Sequence, residues 1–337
     1  MTKEREVEMR LSIRTLIIIS FFLIASGGCA KEPPKVYRVG IISGVDAFLA
    51  IADGFKAGMS KLGYIEGRDI IYDIQKLNAD PDSGQMAVRK FVEDKVDLIF
   101  AFPTEPAFAA KTAVKGTDIP VLFAMAGIEG NGLVDSISAP GGNITGVRFP
   151  GPELTAKRLE ILKELAPQAK RVYLIYNPNY PTASFALQAL HDTAPALGVT
   201  LVEEPVNNLE EMRGAIQKKA GSGDIGVDAI LIMPELLIQT RDGWGLIKNF
   251  ADEYKLPVAA AAKFEVEGGA IFGYMPDMEE AGRMAAPFAD KIFKGTPAGT
   301  IMVATPKGRL FINKNSIQKL GLKINREVLS ITDKAVN

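Results

Sequence analysis

The sequence predicts an α/β protein made of two Rossmann-like lobes with parallel sheets, joined by a hinge. Three observations predict it. Apolar β-branched runs alternate with segments of helical period along the body of the chain. Several of these runs, such as Val-Tyr-Leu-Ile-Tyr at 172–176 and Ala-Ile-Leu-Ile-Met at 229–233, are apolar at every position, as strands covered on both faces of a parallel sheet must be. The alternating pattern is also written twice.

Tyr37 to Ile42 reads as the first strand. Phe48 to Leu62 reads as a helix, because Ala52, Phe55 and Met59 share one face at helical spacing. Strand Ile70 to Ile74, helix Met86 to Asp94, strand Val96 to Ala101, helix Pro106 to Val114 and strand Pro120 to Ala124 follow. The order then returns. Val36 to Ile42 is echoed by Arg171 to Tyr176, Leu62-Gly63 by Leu197-Gly198, and Val96-Asp97 by Val227-Asp228. Ile119-Pro120-Val121 is echoed by Leu256-Pro257-Val258, and Gly141 to Gly146 by Gly268 to Gly273. Five echoes in one order, each about 130 residues apart, mean two similar lobes instead of a solenoid of short repeats. Ligands of open parallel sheets bind beyond the carboxyl ends of the strands, so two facing lobes would line one cleft. The glycine-bracketed segments 141–147 and 268–274 are the expected crossings, because glycine tolerates the angles a hinge needs.

Composition narrows the classes. The chain has 337 residues, Lys+Arg 39 against Asp+Glu 40, and 47% hydrophobic residues. It is long enough for two ordinary domains with real cores. Balanced charge without a basic stripe argues against nucleic acid. The single cysteine, Cys29, excludes an internal disulfide.

Cys29 follows a short apolar run, Leu16 to Ala25, and the small residues Ser26, Gly27 and Gly28; Arg10 and Arg14 precede the run. Positive end, apolar stretch and small residues are the parts of a secretory signal. The run is about half of the roughly 20 apolar residues that a membrane span needs. A cysteine after the small residues resembles a bacterial lipobox, which implies residues 1–28 as signal peptide, a lipid on Cys29, and 29–35 as tether. Ser26 stands where a lipobox usually has Leu, and Met9 is an alternative start that removes Glu4, Glu6 and Glu8. A plain secretory signal is the other reading.

Several stretches together carry a resemblance to a family. They are Gly54-Phe55-Lys56, Leu62 to Gly67, Pro140 to Val147, Lys157 to Leu165 and Tyr176-Asn177-Pro178. They resemble the substrate-binding lipoproteins of tryptophan/tyrosine-type ABC transporters, from about Arg38 to Leu322. The resemblance implies a type I periplasmic-binding fold, with lobe 1 at 36–146 plus 277–303 and lobe 2 at 147–276 plus 304–337. It implies a small-molecule ligand, an amino acid or related compound, in some members an aromatic one, handed to an ABC permease with its ATPase, and a place outside the cytoplasm of a bacterium. Many members have Gly-Thr-Pro-Ala after the third strand, where this chain has Phe102-Pro103-Thr104-Glu105-Pro106-Ala107. Many have Tyr-Gly-Pro-Asp at the second hinge, where this chain has Tyr274-Met275-Pro276-Asp277. An acidic Glu105 speaks against an ordinary aromatic amino acid as ligand.

The candidate ligand-binding residues sit at strand ends. Ser43 to Ala47, Asp46 included, follow the first strand, either as contact or as plain turn. Thr104 and Glu105 open a helix: Thr104 as cap, the free N–H groups as carboxylate site, Glu105 as dipole partner or as acceptor for a ligand amine. Ala126 ends the fourth strand. Asn177 before Pro178 is turn chemistry or a side-chain amide for a ligand. Glu235 parallels Glu105 in the repeat. Lys263 follows the Pro257 to Ala262 run. Tyr274 and Asp277 lie at the hinge, Asp277 as ligand partner or helix cap.

Other motifs are set aside. Gly221-Ser222-Gly223-Asp224-Ile225-Gly226 fits the dinucleotide pattern but precedes a strand. His191, the only histidine, makes neither metal site nor triad. Asn143-Ile144-Thr145 matches a glycosylation site, and Trp244 is a core or surface anchor. No catalytic constellation, cofactor or metal site is expected. A ligand sensor docking to a membrane receptor, or an enzyme working with carboxylates alone, are the competing classes.

Overall fold

A computed structural model describes residues 35–44, 46–77, 81–180, 182–235 and 237–336. Cys29, the signal segment and most of the tether therefore lie outside the described residues. Tyr37–Asn337 form one compact unit that holds two sheets.

The first sheet contains β1 (Tyr37–Ser43), β2 (Ile70–Lys76), β3 (Leu98–Phe102), β4 (Val121–Ala126) and β5 (Ile144–Arg148), all parallel, in the order β2-β1-β3-β4-β5. The second contains β6 (Arg171–Tyr176), β7 (Thr200–Pro205), β8 (Ala229–Leu231), β9 (Val258–Ala260), β10 (Phe272–Pro276), β11 (Gly308–Asn313) and β12 (Thr332–Val336), in the order β12-β11-β10-β9-β8-β6-β7. Taken from its far edge, β7-β6-β8-β9-β10 repeats the order of the first sheet. The echoes seen in the sequence are thus equivalent positions of a duplicated topology.

Each echo has a physical reason. Asp97 accepts a hydrogen bond from the Arg38 amide (2.8 Å) at the start of β1, and Asp228 accepts one from the Arg171 amide (2.8 Å) at the start of β6. Ile99 donates to the Pro120 carbonyl (3.0 Å), and Ile230 to the Pro257 carbonyl (2.9 Å). Gly63 (φ 96°) and Gly198 (φ 62°) end matching helical segments in the left-handed region, which a side chain would disfavour.

Helices cover both faces of the first sheet. Val39, Ile41 and Phe100 pack with Phe55 and Met59 of α1 (Leu49–Lys61), while Ile42, Ile99 and Phe123 pack with α2 (Pro81–Glu93) and α3 (Thr104–Ala113). The alternation along β1 is the period-2 geometry of a strand. In the second sheet the corresponding layers are α4 (Gly151–Leu165) with α5 (Ala183–Thr193), and α6 (Leu209–Ala220) with α7 (Arg241–Tyr254). The helix α8 (Lys263–Glu267) follows β9, and α9 (Met278–Phe293) packs back on α1 in the first lobe. The short helices α10 (Lys314–Lys319) and α11 (Arg326–Ser330) lie between β11 and β12. Among the described residues no helix is long and apolar enough to cross a membrane.

Two expectations need correction. The second sheet is not wholly parallel: β11 runs antiparallel to β10. The crossings between sheets are also not made by glycine. The chain leaves β5 through Phe149-Pro150, leaves β10 through Pro276-Asp277, and returns between Ala304 and Gly308. Pro150 (φ −81°) and Asp277 (φ −80°) have ordinary negative angles. Gly141 (φ 77°) and Gly142 (φ 54°) instead shape the turn that enters β5, and Gly269 (φ 121°) the turn that enters β10. β5 itself continues to Arg148, and the crossings are pinned together where Arg148 donates its amide to the Ala304 carbonyl (2.9 Å).

The set-aside motifs have ordinary places. Gly221 to Gly226 is a loop whose Asp224 pairs with Arg171 (2.9 Å), His191 pairs with Glu203 (3.0 Å), and Trp244 is buried beside Phe250 in the second lobe. The Asn143 amide donates to the Ile119 carbonyl (2.6 Å).

Candidate functional site: the cleft between the lobes

The segments that follow β3 and β4 face those that follow β6 and β8. β4 ends in a bulge: its pairing with β5 slips between Ala124 and Ala126, and Met125 takes φ 53°, a strained angle for a side chain with this bulk. The bulge carries Gly127 against Thr182 of the second lobe, where any Cβ on Gly127 would overlap the Thr182 methyl. Gly130 in the same loop lies equally close to the Phe185 ring. These contacts define a closed arrangement of the lobes. Arg148 adds to it from the hinge. Its guanidinium binds Glu129 of that loop, Glu153 in the first turn of α4, and the Thr305 hydroxyl (2.9 Å).

Inside the cleft, two carboxylates and a phenol converge. Glu105 is the second residue of α3. Its side chain retains accessible surface yet is enclosed by protein on most sides, a combination that a concave site produces, and the loss of water raises its pKa. Glu235 follows β8 at the equivalent point of the second lobe and is 2% exposed. It accepts from the Leu237 amide (3.4 Å) and from the Asn177 backbone, while its Oε1 has no hydrogen-bond partner. Burial pushes its pKa up to about 7, against the smaller lowering effect of the two backbone donors. Burial holds the hydroxyl of Tyr180, just before α5, well above the ordinary phenol range, and the charges of Glu105 and Glu235 add to it. Glu105 comes from the first lobe, and Tyr180 and Glu235 from the second.

The start of α3 offers few free donors. Thr104 is buried, and its hydroxyl accepts from the Gly127 amide (3.0 Å), so it ties β4's end to the helix and does not cap it. Pro106 has no N–H, and the Ala107 amide reaches the Pro103 carbonyl (3.4 Å). The donors that would hold an anion are thus mostly used or missing.

The other sequence candidates have separate places. Ala126 is buried at the end of β4 and accepts from the Phe149 amide (2.8 Å); Asn177 shapes its turn by accepting from the Asn179 amide (2.9 Å). Ser43 is fully buried at the end of β1. Asp46 is exposed and pairs with Lys76 (3.2 Å). Lys263 is exposed and pairs with Glu267 (3.2 Å) one helical turn away. The Tyr274 ring packs against Gly308 and Leu154. Asp277 caps α9 by accepting from the Glu280 amide (2.9 Å), and faces Arg309 at 3.5 Å.

Sequence reasoning missed Tyr180 and Arg148, and placed Gly127 with Met125 and Ala126 at the end of the fourth strand without its contact to Thr182. It also missed Arg158 and Glu265, both fully buried in the second lobe. Arg158 donates to the Thr155 hydroxyl (2.7 Å), while Glu265 accepts from the Ala261 (2.8 Å) and Ala262 (2.9 Å) amides at the end of β9. Desolvation lowers the Arg158 pKa and raises that of Glu265, and the attraction between the two opposes both shifts. The signal for Tyr180 was its place, three residues beyond Asn177 after a strand end. Among the described residues no group of His, Cys, Asp and Glu is placed to hold a metal ion.

Two duplicated α/β lobes with three crossings and a cleft at facing strand ends make a type I periplasmic-binding protein. Residues 36–336 match the family model described as ABC transporter substrate binding protein, and the chain belongs to that family. It is 31% identical over 273 residues to the tyrosine-binding protein of Clostridioides difficile (strain R20291), covering 80% of this chain and 76% of that one. Its fold is similar to an ABC domain from Streptococcus pneumonia in complex with L-Trp: TM-score 0.79, 22% identity, 90% of this chain and 100% of that chain. It is also similar to the ligand-free, open structure of a Clostridium difficile substrate binding protein with adhesive properties: TM-score 0.70, 27% identity, 89% of this chain and 99% of that chain. The protein is a substrate-binding component of an ABC transporter.

Proposed function

We propose that this chain captures a small amine-bearing molecule, an amino acid or a related compound, between its lobes outside the cytoplasm and delivers it to an ABC permease powered by its ATPase. One observation carries the ligand class: acids from both lobes, Glu105 and Glu235, converge on Tyr180, and Glu235 holds an unpartnered buried oxygen. An ammonium group supplies the missing donors to both lobes at once. A ligand that touches both lobes only when they are closed shifts the population toward closure. The similarity to relatives that bind tyrosine and L-Trp supports an amine-bearing ligand.

The signal-like N-terminus and Cys29 support a lipid tether that keeps the protein at the membrane. Labelling cells with a palmitate analogue tests it: Cys29→Ser is expected to lose the label and to be released from the membrane fraction. A thermal-shift screen against amino acids and amines tests the ligand class. A ligand at a hundredfold excess over its Kd stabilises by about 2.7 kcal/mol. Shifts confined to sugars or to carboxylates without an amine would refute the reading, and turnover of a binding compound would favour an enzyme.

A further inference from the structure

Resting on the reading that the cleft is the ligand site, we infer that the ligand is a net cation, an amine that carries no compensating carboxylate. The two acids that meet at Tyr180 have no basic partner. Among the described residues neither Glu105 nor Glu235 enters an ion pair, and Lys263, the lysine nearest in sequence to the end of β9, is spent on Glu267. Glu235 is buried, and its Oε1 accepts no hydrogen bond. A carboxylate in that position must either hold a proton or meet a cation, because an unpaired buried charge is costly. A ligand ammonium meets it, and the charge of Glu105 is felt at the same Tyr180 from the opposite lobe.

A zwitterion fits worse. Its carboxylate would join two others in one enclosed site, and like charges at short range in low dielectric repel strongly. The place where a carboxylate would be held, the start of α3, carries the acidic Glu105 itself, a proline with no donor, and Ala107 already bonded. Glu105 thus acts twice: it attracts the amine and blocks the anion subsite.

The inference is tested by isothermal titration calorimetry of the purified protein with tyramine, tryptamine and putrescine, each against tyrosine and tryptophan. At least one amine is expected to bind at least tenfold more tightly than either amino acid. Glu105→Gln and Glu235→Gln are each expected to weaken that amine at least tenfold. Glu105 has accessible surface, so its variant keeps the fold and remains informative if Glu235→Gln unfolds. If tyrosine or tryptophan binds as tightly as the amines and Glu235→Gln weakens it, the charge inference fails and the cleft stands as the site. If binding is unchanged in both variants, the site is elsewhere and both readings fail. If no amine binds, the inference is overturned.

Discussion

The two lobes share one topology but differ in what they bury. Among the described residues the first lobe keeps its cleft acid, Glu105, partly exposed, and its only fully buried charge is Arg148 at the hinge. The second lobe buries Glu235, Glu265 and Arg158. Equivalent positions after β3 and β8 thus hold the same residue type in opposite states. Glu235 is fixed by backbone donors, whereas Glu105 is free to move with its lobe. One lobe is a preorganised half-site, and the other brings the closing contact.

The largest effect should come from the second lobe's buried pair. Arg158→Met leaves Glu265 buried without the positive charge that opposes its desolvation and removes the donor to Thr155, at a cost of about 3 kcal/mol. Urea unfolding measures it; a loss under 1 kcal/mol would show that the second lobe's interior does not depend on the charge. Substituting both residues by apolar ones should recover much of that loss.

Closure is the next point at which to break the comparison. Gly127→Val places a side chain against Thr182. It should weaken ligand binding by one to two orders of magnitude and enlarge the radius of gyration in X-ray scattering, with little change in unfolding free energy. Equal binding by variant and parent would mean that the loop contact is not part of the closed state.

The two acids should differ with pH. Glu235 has its pKa raised to about 7 from the ordinary 4.5. A raised acid contributes stability that is present below its unfolded pKa and lost as pH rises through the folded one. The ligand-free protein should therefore lose up to about 3 kcal/mol between pH 4.5 and 7.5 through this group. Glu235→Gln should flatten that slope. Cation affinity should move the other way, rising by up to tenfold per pH unit until Glu235 is ionised.

The smallest effect belongs to Asp277. As the cap of α9, its change to Ala should cost about 1 kcal/mol and leave ligand affinity within twofold. A large loss of affinity would return it to the binding residues.

Much of this was legible in the sequence, for definite reasons. The echoes at Asp97/Asp228 and Pro120/Pro257 could be read because each position performs the same backbone task in both lobes. Glu105 and Glu235 could be found because strand ends carry sites. The β11 strand could not, since an antiparallel strand added beyond β10 lies outside the repeated pattern. Thr104's bond to Gly127 and the bonds of Arg148 to Glu129 and Thr305 join residues 19 to 157 positions apart, and no local pattern encodes such pairs. The role of Asp277 was ambiguous because cap and ligand use the same carboxylate.

Closure of the duplicated lobes on one shared site is expected to run through the contact of Gly127 with Thr182. A Cβ built on Gly127 lies 3.5 Å from the Thr182 Cβ, at the lower edge of the roughly 3.5–4.5 Å that disulfides span. The most direct measurement is oxidation of a Gly127→Cys, Thr182→Cys protein in which Cys29 is replaced by Ser, followed by peptide mass mapping. The account predicts a disulfide between the two positions, formed faster when a ligand holds the lobes shut. Free thiols at both positions, under conditions that oxidise a control pair, would contradict it.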